Sequence, residues 1–180
     1  MFHLEISEKD KENIKMLFPI IENYGYEIVD EVIKTFSKDE EAVKALQENN
    51  VSFEQARDSW FYLLKTVFSP EFGEESAKKI STIGKTYVDL DIKGSLLTQV
   101  AFLLLLKTID KIISLNLDNF TDLLKSMIKL FAYSFAIFSD SYRKEMIDSF
   151  LELTGFNENL FSTQIKVARK RRREKSKVTN

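Results

Sequence analysis

The chain has no cysteine, so disulfide frameworks, thiolate nucleophiles and cysteine-held metals are excluded. It has one histidine, His3, near an N-terminus expected to fray. Without a second histidine or a thiol, the zinc, haem-thiolate and Ser/His/Asp constellations cannot be assembled. Its 5 glycines stand singly at 25, 73, 84, 94 and 155, which leaves no glycine-rich phosphate loop. With only 2 prolines beside them, 180 residues have little material for turns. Scarce turns and long stretches of 3.6-residue apolar spacing point to an all-α protein. The opening MFHLEISEKDKEN lacks the basic-then-apolar order of a signal peptide, so a cytoplasmic protein is expected.

What is present suits one domain with a sizeable core: 44% hydrophobic residues, including 15 Phe. The net charge of −2 hides an asymmetry. Residues 166–177 hold eight Lys or Arg against the single Glu174, leaving an acidic body of about −9 over residues 1–165. Carboxylates cluster as Asp39, Glu40 and Glu41, as Glu74 and Glu75, and as Asp89 and Asp91, all read as solvated faces. No enzyme is expected.

The chain is organised around residues 80–106, ISTIGKTYVDLDIKGSLLTQVAFLLLL. Ile80, Ile83, Tyr87 and Leu90 form one helical stripe. Asp91, Lys93, Gly94 and Ser95 then supply turn chemistry, Gly94 tolerating a positive φ and Ser95 acting as an N-cap. From Leu96 to Leu106 only Thr98 and Gln99 are polar. That run is about half the roughly 20 residues of a bilayer span, so it reads as a core helix needing cover on every side.

Upstream, Ser7 with Asp10 forms a capping box that opens a helix through Phe18, and Pro19 either ends it or begins the next, which runs to about Phe36. A short charged helix covers 37–49, and Ser52 with Gln55 opens another that carries Trp60 and Leu64. Downstream, residues 119–154 read as one helix of about 36 residues, about 54 Å long at ~1.5 Å per residue. Ala132, Ala136 and Ser139 align beside its main stripe, which includes Met127; these four are the expected dimer seam. Gly155 ends the helix, dividing a domain over 1–155 from a basic tail, 156–180, expected to lack order from Lys166 onward. The tail can attract anionic membrane or RNA by charge, but it has no stacking aromatics for specific nucleic-acid reading.

The helix order over residues 6–153 resembles the sensor-globin family, the domain of globin-coupled sensors and of related haem-less regulators in bacterial stress and sporulation pathways. The family string Ile-Gly-x-x-His, followed by an apolar-rich loop and an aromatic-starting helix, is similar to Ile83-Gly84-Lys85-Thr86-Tyr87 followed by 88–97. Residues 119–153 look like the last globin helix, which in this family joins a four-helix dimer seam. The resemblance therefore implies a globin-like sensor domain with an extra N-terminal helix and a long C-terminal helix.

The departures are as informative. Tyr87 stands where haem-binding members carry the proximal histidine, and a register one turn away puts Gly84 there. Ile33 stands about where haem sensors place a distal tyrosine. The resemblance then implies a haem-less globin, whose pocket is filled by side chains or by another apolar molecule such as a fatty acid. The expected pocket is drawn from Ile33, Trp60, Leu64 and Ile83 together with Tyr87, Leu97, Val100 and Phe131, with the Tyr87 hydroxyl or a rim lysine meeting the carboxylate. With no output domain in the sequence, a homodimer competing with a sensor histidine kinase for ligand or partner is expected. The alternatives are a ligand-free dimeric interaction module and, more remotely, a haem-based gas sensor ligated through the Tyr87 phenolate.

Overall fold

Ser7 begins the first helix as its N-cap: its hydroxyl accepts from the Asp10 N–H, and the Asp10 carboxylate accepts from the Ser7 N–H. The helix it opens, α1 (Glu8–Phe36), is one element of 29 residues with Pro19 inside it. The break expected at Pro19 does not occur. Proline removes an N–H and disfavours a helix interior by about 3 kcal/mol, yet here it sits on the exposed side. The buried stripe Ile14, Leu17, Ile21, Ile28, Val29 and Val32 runs unbroken past it. Burial of both halves against one core outweighs the lost hydrogen bond.

The computed structural model describes residues 5–178, with side chains described as far as 172; His3 lies outside the described residues. After α1 come α2 (Glu40–Glu48), α3 (Phe53–Val67), α4 (Glu74–Asp89), α5 (Gly94–Ser114), α6 (Phe120–Thr154) and α7 (Glu158–Val178). The described elements are all helices. The chain divides into two compact units, Met1–Tyr142 and Arg143–Asn180, so the first closes before α6 ends.

In the first unit α1 packs on α3 and α5, and α3 packs on α4. The core is closed by Phe68, Leu104, Ile112, Leu123 and Met127, each at most 3% exposed. Met127 was expected at a dimer seam; at 0% exposure it faces the unit's own core instead. Its position in the α6 series Leu123, Met127, Leu130, Phe131 and Phe138 is what turns it inward. Ala132 and Ser139 are half-buried and Ala136 is exposed. The apolar α5 is not covered on every side either. Phe102, Leu106 and Ile113 stay 47%, 53% and 51% exposed, a stripe at helical spacing that this chain alone leaves uncovered.

The α4–α5 turn differs from the sequence reading. Asp91, not Gly94, takes the positive φ (51°), and the N-cap of α5 is Lys93, without a side-chain cap bond. Gly94 has another role: a Cβ there would stand 3.3 Å from the Tyr142 ring, whose hydroxyl donates to the Ile92 carbonyl at 2.7 Å. Gly84 marks a closer approach, since a Cβ would lie 2.8 Å from the Phe138 carbonyl oxygen and 3.3 Å from Ser141 Cβ. In an exposed helix Gly→Ala gains roughly 0.5–1 kcal/mol. Here the backbone of α6 cannot yield, so Gly84→Ala should instead destabilise by about 1–3 kcal/mol, read as a lower urea midpoint at unchanged slope.

In the second unit Gly155 (φ 67°) stops α6 after Thr154, as its position in the sequence suggests. The Phe150 ring meets Phe156 at 6.4 Å and Phe161 at 5.5 Å. Residues 166–178, expected to lack order, are helical as part of α7. Its described residues are exposed except the half-buried Phe161 and Ile165. As far as residue 172, the helix propensity of Ala, Lys and Arg, uninterrupted by Gly or Pro, forms this segment rather than burial.

Candidate functional site

Three local structures frame a cleft in the first unit. At the end of α2 the Asn49 carboxamide donates to the Ala45 carbonyl at 2.9 Å. Asn50 takes a left-handed φ of 53°, which lets the Val51 N–H reach the Leu46 carbonyl at 2.9 Å. The capping box of α3 then pairs the Gln55 N–H with Ser52 Oγ and the Ser52 N–H with Gln55 Oε1. On the facing side, α4 brings Tyr87, its C-cap Leu90 follows, and the start of α5 brings Leu97 and Val100.

Between them lies a cleft of about 340 Å³. One wall is Phe36, Leu46 and Trp60, with the Trp60 ring edge-on to Phe36 at 5.0 Å. The other is Ile92, Leu96, Leu97 and Val100. The polar end is Asn49, Asn50, Gln55 and Ser59, and no Lys, Arg, Asp or Glu lines the cleft among the described residues. Behind Tyr87, Leu97 and Val100 sits a second, apolar cavity of only about 30 Å³. A run of rings from α6 fills the space around it: Phe131 stacks on Phe135 at 5.9 Å, Phe135 on Phe138 at 6.3 Å, and Phe138 meets Tyr87 at 6.0 Å. The Ser134 hydroxyl, 1% exposed, lines this cavity with no hydrogen-bond partner among the described residues.

Of the residues singled out in the sequence, Trp60, Tyr87, Leu97 and Val100 line the cleft, and Leu64, Tyr87, Leu97, Val100 and Phe131 line the inner cavity. Ile33 lines neither: it is half-buried and packs on the main core. Ile83 faces an outer groove of α3 and α4 with Tyr62, Lys79 and Thr86. The expected rim lysine is also not in the cleft lining, and the Tyr87 hydroxyl is already engaged, 3.2 Å from Ser59 Oγ. The polar end Asn49, Asn50, Gln55 and Ser59 is absent from the sequence expectation. Its signal is the Asn-Asn pair just before the Ser52 capping box, a turn that sequence reading attaches to a peripheral helix.

Haem, the cofactor that the globin resemblance brings to mind, can be tested against these residues. No histidine occurs among the described residues, and no group of three or more His, Cys, Asp or Glu side chains there can hold a metal. Burial pushes the Tyr87 phenol up from its ordinary pKa, only partly opposed by the Ser59 hydrogen bond. The Tyr87–Ser59 contact joins α4 directly to α3, and the α6 rings occupy the space behind it. Among the described residues, then, no histidine is available to ligate a haem iron, and the side chain nearest that role, Tyr87, is bonded to Ser59.

A model of the protoglobin family matches residues 2–147. Among solved structures, the globin domain of the Geobacter sulfurreducens globin-coupled sensor superposes with a TM-score of 0.69 at 17% identity, over 78% of this chain and 93% of that one. At that identity the likeness concerns the fold. No curated protein matches this sequence. Among the described residues, no helix is long and apolar enough to cross a membrane.

Proposed function

The chain belongs to the protoglobin family, and from that premise we propose that it is a haem-less sensor domain whose cleft binds a fatty-acid-like, long-chain apolar ligand. The observation that carries this reading is the uncharged cleft of about 340 Å³ beside Tyr87, a size typical of small-molecule sites. Covering the apolar walls of an open cleft removes them from water and is favourable, and the α6 rings close the inner cavity while leaving this cleft open. The role is binding, not catalysis. Ligand occupancy regulates a signal-transduction pathway of the sporulation or stress kind, through competition with a sensor kinase for ligand or partner.

The same reading makes the protein a homodimer. The exposed stripe Phe102, Leu106 and Ile113 on α5 needs cover, and Ala136, with the half-buried Ala132 and Ser139, offers small side chains on α6 for a close helix approach.

Native mass spectrometry of protein purified from cells reads both claims at once. The expected spectrum is a dimer carrying a fatty-acid-sized addition on each subunit, and Leu106→Glu should convert it to a monomer. An addition of haem mass overturns the haem-less reading. A clean apo spectrum that stays clean after incubation with long-chain lipids overturns the lipid-binding one.

A further inference from the structure

A ligand in this cleft places its head group at the polar mouth, so any inference about that head group rests on the cleft being the ligand site. The polar side chains there, Asn49, Asn50, Gln55 and Ser59, are all uncharged. Two of them have hydrogen-bonding capacity to spare. Gln55 uses its carbonyl oxygen on the Ser52 N–H, which leaves the amide N–H₂ as donor. Asn49 gives one N–H to the Ala45 carbonyl, which leaves its other N–H as donor and its own carbonyl oxygen as acceptor. Beside them the Asn50 carboxamide offers both. The mouth thus presents donors and acceptors together, without countercharge.

A carboxylate at this mouth can accept from the amide donors, but it meets the Asn49 carbonyl oxygen as a repulsive neighbour and finds no cation in the lining. A hydroxyl or a primary amide is different. Each both donates and accepts, so each can satisfy the Gln55 N–H₂ and the Asn49 carbonyl at the same time. We infer that the cleft selects long-chain lipids with an uncharged, hydrogen-bonding head group, of the fatty alcohol, primary amide or monoacylglycerol class, over free carboxylates. Discrimination of this kind comes from the mismatch as much as from the match. The apolar walls Phe36, Trp60, Leu96 and Val100 take the chain in either case and contribute nothing to the choice.

Trp60 is the single tryptophan and lines the cleft, so its fluorescence reports occupancy directly. The full chain is titrated with 1-dodecanol, dodecanamide and dodecanoate at pH 7.5, three probes that share one chain length and differ in the head. The alcohol and the amide should bind at least tenfold more tightly than the carboxylate. Leu90→Lys sets an ammonium at an exposed rim position, 41% accessible in the native chain. It should narrow the preference for dodecanol over dodecanoate about fivefold, the scale of an exposed ion pair. Dodecanoate binding to the native chain as tightly as the alcohol overturns the head-group inference while the cleft reading stands. No response to any of the three overturns the cleft reading itself, and the inference with it.

Discussion

Val100→Trp should abolish ligand uptake while leaving a folded chain. Val100 is 3% exposed on α5 and lines both the cleft and the inner cavity. An indole at this position enters space that no side chain fills, because the cleft measures about 340 Å³. Overpacking a closed core costs about 1–3 kcal/mol; here part of that is offset by covering apolar walls that face the void. The ligand has no such relief. Each methylene kept out of an apolar site forfeits about 0.8 kcal/mol, so excluding four weakens binding by about 3 kcal/mol, roughly two orders of magnitude. Native mass spectrometry is the readout, since the new tryptophan confuses the fluorescence. The variant should carry no addition, keep its helical circular dichroism and melt within a few degrees of the native chain. Retained uptake would put the ligand elsewhere. Ile33→Trp is the useful contrast, because Ile33 lines neither cavity and its replacement should not block uptake.

That contrast shows where sequence reading reaches and where it stops. Helix existence is legible because it depends on periodicity and capping, both local. The capping boxes at Ser7 and Ser52 and the stop at Gly155 form as the sequence suggests. Which face of a helix turns inward is less legible, because an apolar residue has the same signature in a core, a pocket or a seam. Met127, Phe131 and Phe138 share one stripe on α6, yet Met127 closes the core while Phe131 lines the inner cavity. Trp60, Tyr87, Leu97 and Val100 are assigned to the pocket by the family register, not by their own chemistry. Ile33 comes from the same register and lies outside the cleft, since α1 is one continuous helix whose buried face is held by Val29 and Val32. The polar mouth at Asn49, Asn50 and Gln55 is out of reach for another reason: amides at a turn and in the first turn of the next helix signal solvent until the opposing wall of α4 and α5 is known.

Asp10→Asn should lower stability by about 2 kcal/mol at neutral pH, and the loss should fade in acid. Asp10 is 5% exposed at the start of α1, and its carboxylate takes four donors. Oδ2 accepts from the Ser7 N–H at 3.0 Å, the Ser7 hydroxyl at 2.6 Å and Lys129 Nζ at 2.8 Å, and Oδ1 accepts from the Ser126 hydroxyl at 2.8 Å. Burial works to raise the pKa of this carboxyl, but the bonds from Lys129, Ser7 and Ser126 together outweigh it and hold the group well below the usual carboxylate range. The unfolded chain therefore takes up the proton first as pH falls. The stabilisation is fully present above the unfolded carboxyl pKa of about 3.9 and drains away below it, towards the folded-state value. An Asn carboxamide has one acceptor oxygen for these four donors, and its own N–H₂ opposes the rest. It leaves Ser126, which also accepts from Asn13 at 2.9 Å, without its acceptor inside the α1–α6 contact. Urea unfolding of both proteins at pH 7 and pH 3 separates the causes. A gap that narrows in acid assigns the loss to the ionised carboxylate; a gap unchanged between the two pH values would assign it to packing, and none at pH 7 would mean that Lys129, 41% exposed, is held as well by water as by Asp10.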